Sequence, residues 1–416
     1  MQKHIRILSL TFCLMHSVVY SQQKQLNTII FRGSDQTEVL PVVALGEALH
    51  LSFDDLENLE EDYYYYIEHY NKDWSKSNLF QTEYISGFDG QRIINYQNSY
   101  NTLISYSNYT LTIPNNQIRI TKSGHYKILI KNNQNELVLE RKFLVYEPLA
   151  QIAGIVKRPR KINLGNEQQR IEVRVNINRN ALIDFEQRTS LSIIQNFQWS
   201  TQKTFKTPDF QNSNQLIYNR DEIQFFGQNE FLFFDTKDIR STNNSVREIS
   251  YETPILMKLY TQRNRQLLPY TYNPDINGDF VIQTLQGTNA SIEADYVNVD
   301  FSLENIGDFN EVYIIGGFNN FELNKEYQLE FDEQSNIWKT RLLLKQGIYN
   351  YLFVTKNKEG VLDASSINGS FLNTENAYQI LFHYKDFDLN YDRVIGYEKI
   401  YSSDLGLWAF VLNFEP

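Results

Sequence analysis

Strict two-residue alternation is the feature of this chain that most limits what it can fold into. Ile171, Val173, Val175 and Ile177 alternate with Arg170, Glu172, Arg174 and Asn176. Neighbouring side chains of an extended chain point to opposite sides, so this pattern makes one apolar and one solvated face. It predicts a half-buried strand of an antiparallel sheet. Val297, Val299, Phe301 and Leu303 repeat the pattern against Asn298, Asp300 and Ser302. Turn signals such as Asn115-Asn116, Asn132-Asn133 and Asn277-Gly278 punctuate these runs. No run keeps a helical period. The nearest is Asp54 to Glu61, where Leu56 and Leu59 would share a face, and one acidic turn fits equally well. The 28 Tyr and 27 Phe point the same way, because flat rings pack well on a pleated surface.

A length of 416 residues exceeds what one core serves and predicts about three domains. An internal echo supports repetition. Gly124-His125-Tyr126 opens an apolar run, and Gly347-Ile348-Tyr349 opens another. A turn glycine, an inward tyrosine and an apolar strand occur late in immunoglobulin-like sandwiches. The expected fold class is therefore all-β, with tandem immunoglobulin-like β-sandwich domains. The expected boundaries are 1–21, 22–147, 148–290 and 291–416. They are drawn where a strand meets Pro148 and after the turn-rich stretch from Asn273 to Asn289.

The first of these segments is a targeting signal. Lys3 and Arg6 precede an apolar stretch from Ile7 to Tyr20, with Val19 and Ser21 placed for a cut before Gln22. That stretch is too short for a membrane span, and no later one reaches about 18 apolar residues. The expectation is an exported protein with no direct membrane span. The single cysteine, Cys13, lies within the signal, so the mature chain would hold neither a disulfide nor a thiolate metal site. A net charge of −11 argues against a nucleic-acid partner.

Chemistry is hard to find. His50, His69, His125 and His383 are the mature histidines, and no two are close in sequence. Nucleotide loops, nucleophile elbows and zinc spacings are absent from the sequence. Asp275-Ile276-Asn277-Gly278-Asp279 resembles the start of a calcium loop, but the sixth and twelfth positions hold Phe280 and Gln286. An Asn-Gly turn accounts for it better. The expectation is a non-enzyme without cofactor or metal. Tyr63-Tyr64-Tyr65-Tyr66 places rings on both faces of one strand, and Trp74 follows it in a loop. Core or interdomain packing explains such rings, and so does an external grip. Tyr64, Tyr66, Trp74 and the C-terminal Trp408 are the candidate interface anchors.

Several segments carry a resemblance. Leu51-Ser52-Phe53-Asp54-Asp55-Leu56, Asp62 to His69, Asp73-Trp74 and Glu83 to Phe88 resemble the N-terminal domain of the type IX secretion system plug family of Bacteroidota. Leu111 to Pro114 and Thr121 to Tyr126 look the same, as do Gly227 to Phe231, Pro269-Tyr270, Asp295 to Val297 and Gln346 to Tyr351. The likeness runs collinearly from Asn27 to Tyr397 and leaves Ser402 to Pro416 unmatched. It implies a periplasmic, non-catalytic protein that binds and seals the periplasmic opening of the outer-membrane secretion barrel. A second, local likeness joins Val312 to Phe321, Trp338 and Gly347 to Tyr351 to glycogen-binding sandwich modules of the early-set type. It implies an alternative, a periplasmic or surface glycan-binding protein in which Phe321, Trp338 and Tyr351 would stack on sugar.

Overall fold

A computed structural model describes residues 26–404, except 36–37, 58–59, 162–164, 178–181, 183, 213, 306, 308 and 358–359. The expected signal segment, Cys13 and Trp408 lie outside the described residues. The architecture is all-β, and three sandwiches account for the large sheets.

The first sandwich is continuous in sequence. One sheet orders Asn27–Gly33, Leu49–Asp55, Ser107–Ile113 and Asn95–Asn98. The other orders Val42–Ala44, Leu137–Tyr146, Gly124–Lys131, Tyr64–Tyr70 and Gln91–Arg92. Phe53, Tyr63, Tyr65, Tyr109, Tyr126 and Phe143 fill the space between them. The last strand ends at Tyr146, and the next begins at Ala150.

The second sandwich is built from two distant stretches. Ala150–Lys157, Gln168–Ile177 and Gln215–Tyr218 form one sheet. Facing it, Thr189–Gln195 pairs in antiparallel register with Ala377–Lys385, and that strand pairs with Asp392–Tyr401. The third sandwich is inserted between these stretches. Leu232–Asp235, Phe280–Ile282 and Tyr313–Ile315 surround Gly347–Lys356, opposite a sheet of Val246–Ser250, Leu256–Leu259, Tyr296–Glu304, Ile337–Lys345 and Glu330–Asp332.

The division at 290–291 is corrected by this pairing. That point falls between Phe280–Ile282 and Tyr296–Glu304, both within the third sandwich, and 377–401 belongs to the second. The turn-rich stretch before 290 is a loop inside a domain. Local turn chemistry marks where a strand stops but not which distant strand it rejoins.

The alternating segments behave as their pattern requires. Ile171, Val173, Val175 and Ile177 are buried, as are Val297, Val299, Phe301 and Leu303. The internal echo is structural as well. Gly124 and Gly347 each open a strand, and Tyr126 and Tyr349 lie in the cores. Each tyrosine hydroxyl donates to the carbonyl four residues back, Lys122 and Lys345 respectively. This is the tyrosine-corner device of immunoglobulin-like sandwiches.

A fourth apolar cluster lies where all three sandwiches meet. Leu40 and Leu144 come from the first, Ile194 and Leu381 from the second, and Ile315 and Leu352 from the third. Burial of these side chains favours a fixed arrangement of the domains.

Candidate functional site

Strand Tyr64–Tyr70 sorts its aromatic run by face. Tyr63 and Tyr65 are in the first core, whereas Tyr64 and Tyr66 stand half-buried on the outer face. The Lys131 ammonium lies 4.8 Å from the Tyr66 ring centre, and Lys127 lies 4.8 Å from that of Tyr70. The outer row is thus a surface of tyrosines lidded by lysines.

Trp74 faces inward to the domain junction. Its backbone is left-handed, with φ of 62°. The indole meets His125 and Trp199 edge to face, each at 5.0 Å, and Lys142 sits 4.5 Å from the ring. Since Trp199 belongs to the second sandwich, Trp74 anchors one domain of this chain to another.

Behind Trp74 the fold gathers three histidines that the sequence keeps far apart. His125 and His383 stack at 5.1 Å with planes 18° apart, one from each side of the junction. His69 packs on Tyr126 and reaches Tyr391 of the second sandwich at 5.3 Å. All three are buried. Burial pushes His69 and His383 down to about 4 and His125 well below its usual range, so the rings are neutral near pH 7. No local motif signals this cluster, because adjacent strands bring His69 and His125 to neighbouring register positions. Around the rings, Arg393 grips Glu147 at 2.7 Å and Lys72 pairs with Asp392 at 3.4 Å.

The junction with the third sandwich is polar. Asp54 is fully buried and accepts hydrogen bonds from Lys345 at 2.6 Å, Tyr296 at 2.7 Å and Asn108 at 2.7 Å. Lys345 also donates to the Ser291 carbonyl, and its ammonium lies 4.0 Å from the Tyr106 ring centre. Burial raises the Asp54 carboxyl and lowers the Lys345 ammonium, against their mutual attraction. Arg32 and Asp279 make a second cross-domain pair at 2.6 Å.

The proposed sugar platform is overturned by burial. Phe321 packs against Phe231 at the three-domain cluster, and Tyr351 is enclosed by Phe234, Phe301 and Phe353. Trp338 packs on Phe331, and its indole N–H donates to Asn305. All three rings are less than 8% exposed, leaving no face on which a sugar can stack.

The calcium-like loop is a turn. Asp275 accepts from the backbone N–H groups of Asn277 and Phe231, and Asn277 and Gly278 take positive φ. Burial pushes the Asp275 carboxyl up to about 7. Among the described residues no group of three His, Cys, Asp or Glu is placed to hold a metal. None of their helices is long and apolar enough to cross a membrane.

Comparison with known proteins bears on this first sandwich. Residues 26–147 match the family model described as the Type 9 secretion system plug protein 1st domain. Over these residues the chain is similar to that plug first domain. Its matched limits coincide with the first sandwich, from the strand after Leu26 to the end of Leu137–Tyr146. Most of the chain is similar to a crystal structure of a hypothetical protein from Parabacteroides merdae ATCC 43184. The TM-score is 0.85 at 29% sequence identity, covering 91% of this chain and 97% of that one. No curated protein matches. On the first sandwich, Phe80, Phe88 and Ile94 are each at least 70% exposed, a feature that alternation alone did not single out.

Proposed function

We propose that this protein is a non-catalytic periplasmic plug that binds and seals the periplasmic opening of the outer-membrane barrel of the type 9 secretion system. The observation that carries this reading is the match of residues 26–147 to the plug first domain. The junctions support it. A plug must resist deformation while it blocks a pore, and here a shared apolar cluster, stacked rings and buried ion pairs hold three sandwiches together. A lasting seal needs roughly 1,000 Å² or more of contact. Phe80, Phe88 and Ile94 offer apolar anchors for it, with Tyr64 and Tyr66 as further candidates.

The tagged protein is expected to co-purify with the outer-membrane barrel, and its deletion to make the envelope permeable to large solutes. Purification without the barrel, together with an intact barrier in the deletion strain, would sink the reading.

A further inference from the structure

Between the first and third sandwiches lies a cleft of about 910 Å³, large enough for a ligand. Residues 138–141 of Leu137–Tyr146 and 341–344 of Ile337–Lys345 line it. Successive residues of a strand point to opposite faces, so an unbroken run along a wall means that the strand presents its edge.

Both edges are open there. Leu137–Tyr146 pairs with Gly124–Lys131 on one side, while Val42–Ala44 covers its other side only from Leu144 onward. Ile337–Lys345 pairs throughout with Tyr296–Glu304, while Glu330–Asp332 covers its other side only from Ile337 to Lys339. Among the described residues, no strand covers the outer edge of 138–143 or of 340–345. An uncovered row of N–H and C=O groups is a template for another strand.

Arg141 is one of the charged groups of the cleft, which Glu140, Glu322, Glu326, Lys325 and Arg341 also line. The Arg141 guanidinium donates to the Glu140 carbonyl at 2.9 Å. Glu140 pairs with Lys127 and Glu322 accepts from Asn320 and Asn324, while both also attract the Arg141 cation through space. Among the described residues no carboxylate comes within ion-pair distance of Arg141, although desolvation already lowers its basicity. A half-buried cation of this kind favours an anionic partner group.

We infer that this cleft receives an extended segment of a partner protein, which adds by its backbone to an open edge and brings an Asp or Glu side chain to Arg141. The inference stands on the cleft itself and holds whichever partner the plug reading names.

The test uses the whole chain and a fluorescent eight-residue peptide of alternating Val and Thr with one central Glu. The Glu peptide should bind, its Gln counterpart should bind about tenfold more weakly, and a fully N-methylated copy should not bind. Arg141→Gln should bring the Glu and Gln peptides to equal affinity. Amide exchange should slow on binding in 138–143 or 340–345. Failure of the Glu peptide to bind, equal binding of the Glu and Gln peptides, or binding of the N-methylated copy would each overturn the inference. So would slow exchange at both edges before any peptide is added, because the chain would then cover them itself.

Discussion

The first sandwich is fastened on two sides by junctions of opposite chemistry. Toward the second sandwich the centre of the contact is made of rings, His125 on His383 and Trp74 on Trp199, with the Arg393–Glu147 and Lys72–Asp392 pairs around them. Toward the third it is made of charge, with Asp54 on Lys345 and Arg32 on Asp279. A ring junction holds while its imidazoles stay neutral. A charge junction holds while both ions are present, because a lone buried ion has neither water nor partner. The two sides should therefore fail under different insults.

The largest effect is expected from Lys345→Met, which strands the Asp54 carboxylate. Breaking one partner of a buried pair costs about 3–5 kcal/mol, read as a lowered denaturation midpoint. Pairing it with Asp54→Asn should restore much of the loss. Equal midpoints for the single and double variants would show that the stranded charge is not the cause.

Acidification should act on the ring side. His69 and His383 are held near 4, against 6.5 for a free histidine. Between those values the unfolded chain binds protons that the folded chain does not. The stability is therefore complete above about pH 6.5 and is lost as the pH falls toward 4, by up to about 2 kcal/mol per ring at pH 5. Asp392 favours the charged rings, while Lys72, Lys122 and Lys142 oppose them. His383→Phe keeps a flat ring and should flatten the dependence of the midpoint between pH 7 and 5; an unchanged slope would remove His383 from the account.

Trp74→Ala should cost about 2 kcal/mol, less than for a fully enclosed aromatic because Trp74 is half-buried. Faster amide exchange should appear around Trp199 and not around Lys345. At the small end, Lys76→Ala removes an exposed pair with Glu68 on the outer tyrosine row and should move the midpoint by less than about 1 kcal/mol. A larger shift would mean that this surface helps to hold the domain together.

What the sequence revealed follows from the range of the forces involved. Alternation at Ile171 to Ile177 fixes a strand and its buried face within a few residues, and the Gly124 and Gly347 echoes mark two strands with an inward tyrosine. Pro148 stops a strand where the first sandwich closes. The insertion of the third sandwich was not legible, because the pairing of Ser190 with His383 leaves no mark at either end. The histidine stack was invisible for the same reason. Phe321, Trp338 and Tyr351 were nominated as a platform by the likeness to glycogen-binding modules, and their local sequence does not say whether each ring meets solvent or another sheet. Arg141 gave no signal either: its lack of a carboxylate partner depends on where Glu140 and Glu322 turn.

The inserted arrangement also sets a timetable. Thr189–Gln195 is buried along its whole length, and its partner begins at Ala377, more than 180 residues later. At about 5–20 residues per second that partner follows roughly ten to forty seconds behind. The first and third sandwiches can each close on strands already made, whereas the second waits, half built, until Ala377–Lys385 and Asp392–Tyr401 have emerged. Its apolar strand Thr189–Gln195 therefore stays without its Ala377–Lys385 partner for longer than any strand of the first sandwich waits for its own.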